Sequence, residues 1–343
     1  MTGRGTSRAK RVALSLVLTV VATLVTLLVA ELAVRAFRPQ RTMYPRWQYS
    51  AEYGAMLFPN RTMVHETPGS WRFEYTTNEH QYRGRAIPVA ERYVRENVVV
   101  LGDSYSFGTG VNDGEEYAAV MADSLKDSHD VVNLSVGGWG LTQEIRRYFE
   151  FGKLYRPSVV IIQFSDNDLR DNFRNQVTVV ENGRFAFRNS ASRSNWAKRF
   201  LSDSPIQRSQ LYNLFRQPLA AKAARRDISA GKKRAERAHE GVVPADEQFH
   251  NELLELFARG LHGSGVRVLL ISAGTSLDRA PFVRAKIEAL DAEGVLDYLD
   301  TEHWLDDQTD YRSLEGHAWG RKAHAVIGAR LSRAVTALAR EDS

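Results

Sequence analysis

The sequence predicts an α/β fold, a doubly wound parallel sheet, preceded by one N-terminal helix long enough to span a membrane. Three observations carry that prediction. Short runs dominated by β-branched and aliphatic residues at 97–101, 130–134 and 158–164 read as strands buried on both faces. Segments of helical spacing separate them, as expected for parallel strands joined by crossover helices. Residues 12–30 form nineteen consecutive positions without a charge, enough to cross a hydrocarbon core.

Composition narrows the function classes. A chain of 343 residues can bury a sizeable core. It contains no cysteine, which excludes a disulfide framework, a thiolate metal site and a cysteine nucleophile. The formal charge is +5, but Arg4, Arg8, Lys10 and Arg11 supply most of it before the first acidic residue. That is a basic tail, not the distributed basic face of a nucleic-acid binder, and no nucleic-acid partner is expected.

Taken in order, residues 1–11 read as a cytoplasmic basic tail and 12–30 as a transmembrane signal anchor, oriented by the positive-inside tendency with the bulk of the chain outside. Residues 31–39 offer no clean Ala-x-Ala-like cleavage site, so an uncleaved anchor is preferred to a cleaved signal peptide. Residues 31–95, rich in aromatics, Pro and Arg, read as a stalk and lead-in. Within them 70–77 alternates like a half-exposed strand, 77–84 is a polar loop, and His65 and His80 read as surface histidines.

Residues 96–343 form the main domain. A helix is expected at 115–125, and Thr142 is the expected N-cap of another that runs to about 154 before Pro157. A hairpin at 176–187 closes on Asn182-Gly183. From about 190 to 243 the sequence turns polar and basic, a solvated helical insertion. A helix at 246–261, a strand at 266–272, a helix at 281–290, a strand at 295–300 and a terminal helix to about 340 complete the pattern. Pocket walls are expected from the insertion and from the surroundings of Trp139 and Trp319.

The strand ends carry the chemistry. Ser104 follows the first strand, Gly137 and Gly138 the second, and Asn167 the third, while His317 stands in the loop before the last helix. Each has an ordinary structural alternative. Gly102-Asp103-Ser104 is turn chemistry, Asn167 can cap a helix, and His317 can be a helix-terminal residue. A calcium loop at Asn167 and Asp171 is disfavoured by Arg170 and by the missing glycine. Together they meet what acyl transfer by serine needs, a nucleophile, a base and oxyanion donors. Ser104 fits the nucleophile and His317 the base. The backbone N–H groups of Ser104 and of a glycine after the second strand, Gly137 or Gly138, and the amide of Asn167 fit the oxyanion hole.

Gly102 to Tyr105, Asn133 to Gly140, Asp166-Asn167-Asp168 and Glu315-Gly316-His317 resemble the successive blocks of the SGNH (GDSL-type) hydrolase superfamily, and Thr77 to Gly84 is similar to the lead-in of its membrane-anchored bacterial members. The resemblance implies a flavodoxin-like three-layer α/β/α sandwich, Gly138 as the oxyanion-hole glycine, and ester hydrolysis or acyl transfer without a cofactor or metal. Two positions depart from the pattern. Ser165 stands where relatives often carry glycine. Leu314 stands where the acid that orients the histidine is usual, leaving Glu315, two residues before His317, or Asp306, Asp307 or Asp310 for that task.

The expected function is therefore a membrane-anchored, extracytoplasmic serine esterase that removes an acyl group, acetyl foremost, from an envelope glycan or lipid. An O-acyltransferase working on an envelope polysaccharide beside a membrane-embedded acyltransferase partner would use the same residues. A non-catalytic anchored binding module is the third reading, and it requires Ser104 and His317 to lie out of hydrogen-bond reach.

Overall fold

Helix α1 (Gly3–Phe37) opens the chain in the computed structural model, which describes residues 3–91, 94–190, 201, 204–219, 222, 243–305 and 311–341. Most of the 190–243 insertion, and Asp306, Asp307 and Asp310, lie outside these residues. The segment Ala9–Phe37 is long and apolar enough to cross a membrane, and it leaves Val12, Leu16, Val20, Leu24 and Leu28 exposed. A helix apolar all round suits lipid rather than water, and both a single-pass anchor and a signal sequence have this form.

The lead-in forms an antiparallel sheet of β1 (Thr42–Tyr44), β2 (Thr62–Thr67) and β3 (Trp71–Thr76) in the order β1-β2-β3. Alternation along β3 puts Phe73 and Tyr75 inside. They pack with Tyr53, Leu57 and Met63, and with Phe107 and Trp139 of the main domain. Arg83 fastens this sheet to the loop after Ser104. Its side chain is fully buried, donates to the carbonyls of Phe107, Gly108 and Val111 at 2.7–2.9 Å, and pairs with Asp113 at 2.9 Å. His65 is correspondingly buried, 5% exposed, and not on the surface as its isolated place in the sequence suggested.

Next come β4 (Glu96–Leu101), the single turn α2 (Ser104–Phe107), α3 (Tyr117–Ser124), β5 (His129–Asn133), α4 (Leu141–Glu150), β6 (Val159–Phe164) and α5 (Asn167–Arg174). The hairpin β7 (Thr178–Glu181) and β8 (Arg184–Phe187) turns through Asn182 and Gly183, both at positive φ, as a two-residue hairpin turn demands. Helix α6 (Ala245–His262), β9 (Arg267–Ser272), α7 (Pro281–Ala292), β10 (Asp297–Leu299) and α8 (Arg321–Glu341) follow.

The main sheet is wholly parallel, in the order β5-β4-β6-β9-β10. This is a flavodoxin-like order. Because successive side chains alternate faces, Val98 and Val100 pack with α3 and α8, and Val99 and Leu101 pack with α4, α6 and α7. Each such side chain contributes about 1.5–3 kcal/mol on burial. Helix α4 begins one residue before the expected cap. Gln143 accepts the Gly140 N–H at 3.0 Å, and Thr142 donates instead to the Asn175 carbonyl at 2.8 Å.

Candidate active site

In a sheet of this order the crevice opens beyond the carboxyl ends of the strands where the chain reverses direction, here β4 and β6. Ser104 lies three residues past β4. The turn into it is tight, for a Cβ on Gly102 would stand 2.5 Å from Ser106 Oγ and 2.7 Å from Gln163 Oε1. Asp103 caps α2 by accepting the Tyr105 N–H at 2.9 Å. Gly138 takes φ +84° after β5, a conformation that costs glycine little.

His317 arrives from the loop before α8. Ser313 holds that loop, accepting the His317 N–H on its hydroxyl at 3.1 Å and donating its own N–H to the His317 carbonyl at 2.9 Å. The imidazole rests against the Tyr105 ring, 4.3 Å between centroids, and Trp319 meets Tyr105 edge-on behind it. Nε2 then stands 3.2 Å from Ser104 Oγ. Burial lowers the His317 pKa; the Glu315 charge and the Trp319 backbone oppose this, and Arg41 adds to it. The ring is thus neutral at pH 7 and free to accept a proton.

Asn167, the first residue of α5, is fixed from below. Its Nδ2 donates to Asp103 Oδ2 at 2.9 Å and, at 3.4 Å, to Asp171. Ser165 fills the position where glycine was expected, and its Oγ lies 2.8 Å from Asp103 Oδ2, 2.7 Å from Asn167 Oδ1 and 3.3 Å from Asp168 Oδ1. One hydroxyl proton cannot serve three acceptors. The balance comes from the carboxyls: burial raises the pKa of Asp103, and raises that of Asp168 well above the ordinary value, with the Asp103 and Glu144 charges adding to it. Each raised pKa favours the protonated carboxyl, which eases this crowding of acceptors.

Glu315 is not joined to His317 by a hydrogen bond. Its carboxylate is 4% exposed, bonded to Arg41 at 2.9 Å and 4.0 Å from His65 Nε2. Nδ1 of His317 is buried and has no hydrogen-bond partner of ordinary geometry among the described residues. Glu315 therefore reaches the imidazole as a charge through space. Tyr75 accepts the Gly110 N–H at 2.9 Å, its hydroxyl also lies 3.0 Å from His65 Nδ1, and His65 Nε2 faces Glu315. Burial drives the His65 pKa down to about 3, helped by Arg41 and Arg46, so it is neutral.

Ser104, Gly138, Asn167 and His317 share one cavity of about 400 Å³. Arg216, from a helical stretch at 210–219, lies in the insertion expected to supply the wall, but Arg41, Thr42, Met43, Arg46, Trp47 and His65, from the lead-in, were not anticipated. The arginines interleaved with aromatics around residues 38–47 were the signal in the sequence. The surroundings of Trp139 and Trp319 do line it, through Gly137, Gly138 and His317, while the two tryptophans themselves are core residues, each 1% exposed.

The model of the GDSL-like lipase/acylhydrolase family matches residues 100–319. No curated protein sequence matches the chain. Among solved structures, the psychrotrophic esterase EstA from Pseudoalteromonas sp. is 10% identical, covering 71% of this chain and 99% of its own, with a TM-score of 0.43. Est24, a carbohydrate acetylesterase from Sinorhizobium meliloti, is 10% identical, covering 71% and 100%, with a TM-score of 0.40. A GDSL-like lipase from Bacteroides thetaiotaomicron is 12% identical, covering 74% and 93%, with a TM-score of 0.40. With the family's match running from the end of β4 to the loop before α8, more than half of the sequence, the chain belongs to the GDSL-like lipase/acylhydrolase family.

Proposed function

We propose that this acylhydrolase is a membrane-anchored serine esterase of the cell envelope, its domain outside the cytoplasm, that removes a short acyl group, acetyl foremost, from an envelope glycan or lipid. The observation that carries the reading is the 3.2 Å approach of His317 Nε2 to Ser104 Oγ at the wall of one cavity. Oγ attacks the ester carbonyl carbon as its proton passes to Nε2. The negative oxygen that forms is met by the N–H groups of Ser104 and Gly138 and by the Asn167 hydrogen that makes only the 3.4 Å contact to Asp171. Collapse breaks the bond to the alcohol, which leaves with the proton from His317. Water, deprotonated by His317, then releases the carboxylic acid and regenerates Ser104. In each step Glu315 stabilises the imidazolium by its charge.

The full chain in detergent micelles is expected to release p-nitrophenol from p-nitrophenyl acetate. Ser104→Ala lowers this to background, and His317→Ala lowers it by roughly 10³-fold or more. Equal turnover by Ser104→Ala defeats the reading.

A further inference from the structure

The cavity wall holds more positive charge than catalysis of a neutral ester requires. Four arginines, Arg41, Arg46, Arg170 and Arg216, face it against two carboxylates, Asp171 and Glu315, and both carboxylates are already taken. Glu315 binds Arg41 at 2.9 Å and Asp171 binds Arg170 at 2.9 Å. Neither Arg46 nor Arg216 forms an ion pair among the described residues.

Arg46 is the informative one. It is half-buried, with an Nε that is buried and unpartnered, and its guanidinium lies 3.9 Å from the Trp47 ring centroid. Burial lowers its pKa, and the charges of Arg216 and Arg41 lower it further, yet a guanidinium stays protonated in proteins. A cation held among other cations without a counter-ion is costly unless an anion joins it. Arg46 also stands close enough to His65 to act on it, as does His317, so the free charge lies near the reacting serine.

Arg216 is fixed in place. Its Nε donates to Asn213 Oδ1 at 3.3 Å, and its helical stretch is tied to α1 by Glu31, which accepts from the Ser209 hydroxyl and the Gln210 and Leu211 N–H groups at 2.8–2.9 Å. Gln217 of the same stretch donates to the Arg41 carbonyl at 2.7 Å. The arginines are thus set by the scaffold. The remaining wall mixes polar groups with the apolar side chains of Met43, Trp47, Leu57 and Phe107.

We propose that Arg46 and Arg216 bind an anionic group, a carboxylate or phosphate, on the substrate itself, so that the ester hydrolysed is a short-chain O-acyl ester of an acidic sugar. The proposal rests on the esterase reading for its acyl chemistry but not for its binding site. A guanidinium fork matches either anion bidentately, and pairing it leaves the cavity nearer to neutral.

The test uses the full chain in detergent micelles, with O-acetylated oligogalacturonate and neutral O-acetylated xylo-oligosaccharide as substrates and acetate release as the readout. The acidic substrate is expected to be preferred roughly ten-fold or more in kcat/KM, the scale of a charge-assisted hydrogen bond. Arg46→Gln should cut that preference by about the same factor through KM, and Arg46→Lys should keep part of it. Calorimetric titration with unacetylated oligogalacturonate separates this proposal from the esterase reading. Binding that weakens about ten-fold in both Arg46→Gln and Arg216→Gln supports the anion site even if no ester is cleaved. Equal use of the two substrates, or titration unchanged in the variants, overturns it even if p-nitrophenyl acetate is hydrolysed.

Discussion

The floor and the wall of the cavity carry opposite chemistry. The floor, built from the ends of β4 and β6 and the starts of α4 and α5, gathers the buried acids Asp103, Glu144 and Asp168. The wall, built from the lead-in and the 210–219 stretch, gathers arginines. The floor is closed to water, so burial raises the pKa of each of its carboxyls. The wall opens on the cavity, so its cations keep their charge and offer it to whatever enters. On the proposed reading, a buried acid beside Ser104 positions, and an arginine facing the cavity recognises.

That contrast predicts that floor substitutions act on kcat and wall substitutions on KM. The largest floor effect after loss of Ser104 or His317 is expected from Asn167→Ala, a fall of about 10²–10³ in kcat with KM little changed, the range for one oxyanion donor. A KM effect alone would erase the distinction. Asp103→Ala removes the α2 cap and the partner of Asn167 together. It should cost about 3 kcal/mol in urea unfolding, since buried donors lose their acceptor, and lower kcat as well.

Glu315→Gln sharpens the boundary, because Glu315 belongs to the wall yet acts on His317. With no hydrogen bond to the imidazole, the expected loss is about ten-fold in kcat, far below the 10⁴ typical when the orienting carboxylate itself is neutralised. A loss of that larger size would place Glu315 in the catalytic machinery proper. The acid limb of the kcat/KM profile should lie below the ordinary histidine value of 6.5, since His317 is held neutral by burial and protonates only at lower pH.

The smallest effect is a stability one. Glu144 is 1% exposed, and both its carboxyl oxygens lack a hydrogen-bond partner among the described residues. Burial, then the Asp103 charge, raises its pKa well above the ordinary 4.5. A folded-state pKa that is raised contributes stability below the unfolded value and loses it as pH rises. Glu144→Gln should therefore gain about 1 kcal/mol over the parent by pH 8, and less at pH 5. The buried histidines run the other way. His65 and His250, both lowered to about 3 by burial, contribute stability above about 6.5 that is lost as pH falls. A Tm series over pH 4–8 checks both signs.

Much of the fold was legible in the chain. Residues 97–101, 158–164 and 266–272 are apolar at nearly every position because both faces of a parallel strand are covered, and each became a strand within a residue or two. The hairpin at Asn182-Gly183 was legible because its turn needs particular backbone conformations. Strand β2 was not, because 62–67 mixes Met, Val, His, Glu and Thr, and its inward face is defined only by pairing with β3.

Sequence by itself determined the doubly wound sheet, the apolar N-terminal helix and the succession of Ser104, Gly138, Asn167 and His317, because period, turn chemistry and short motifs are local. Tertiary structure alone decided that the lead-in forms the wall, that His65 is buried, and that Glu315 faces Arg41 in place of His317. Those outcomes depend on which side chains meet across long stretches of chain, 65 against 315 and 41 against 315, and no local pattern records such a meeting.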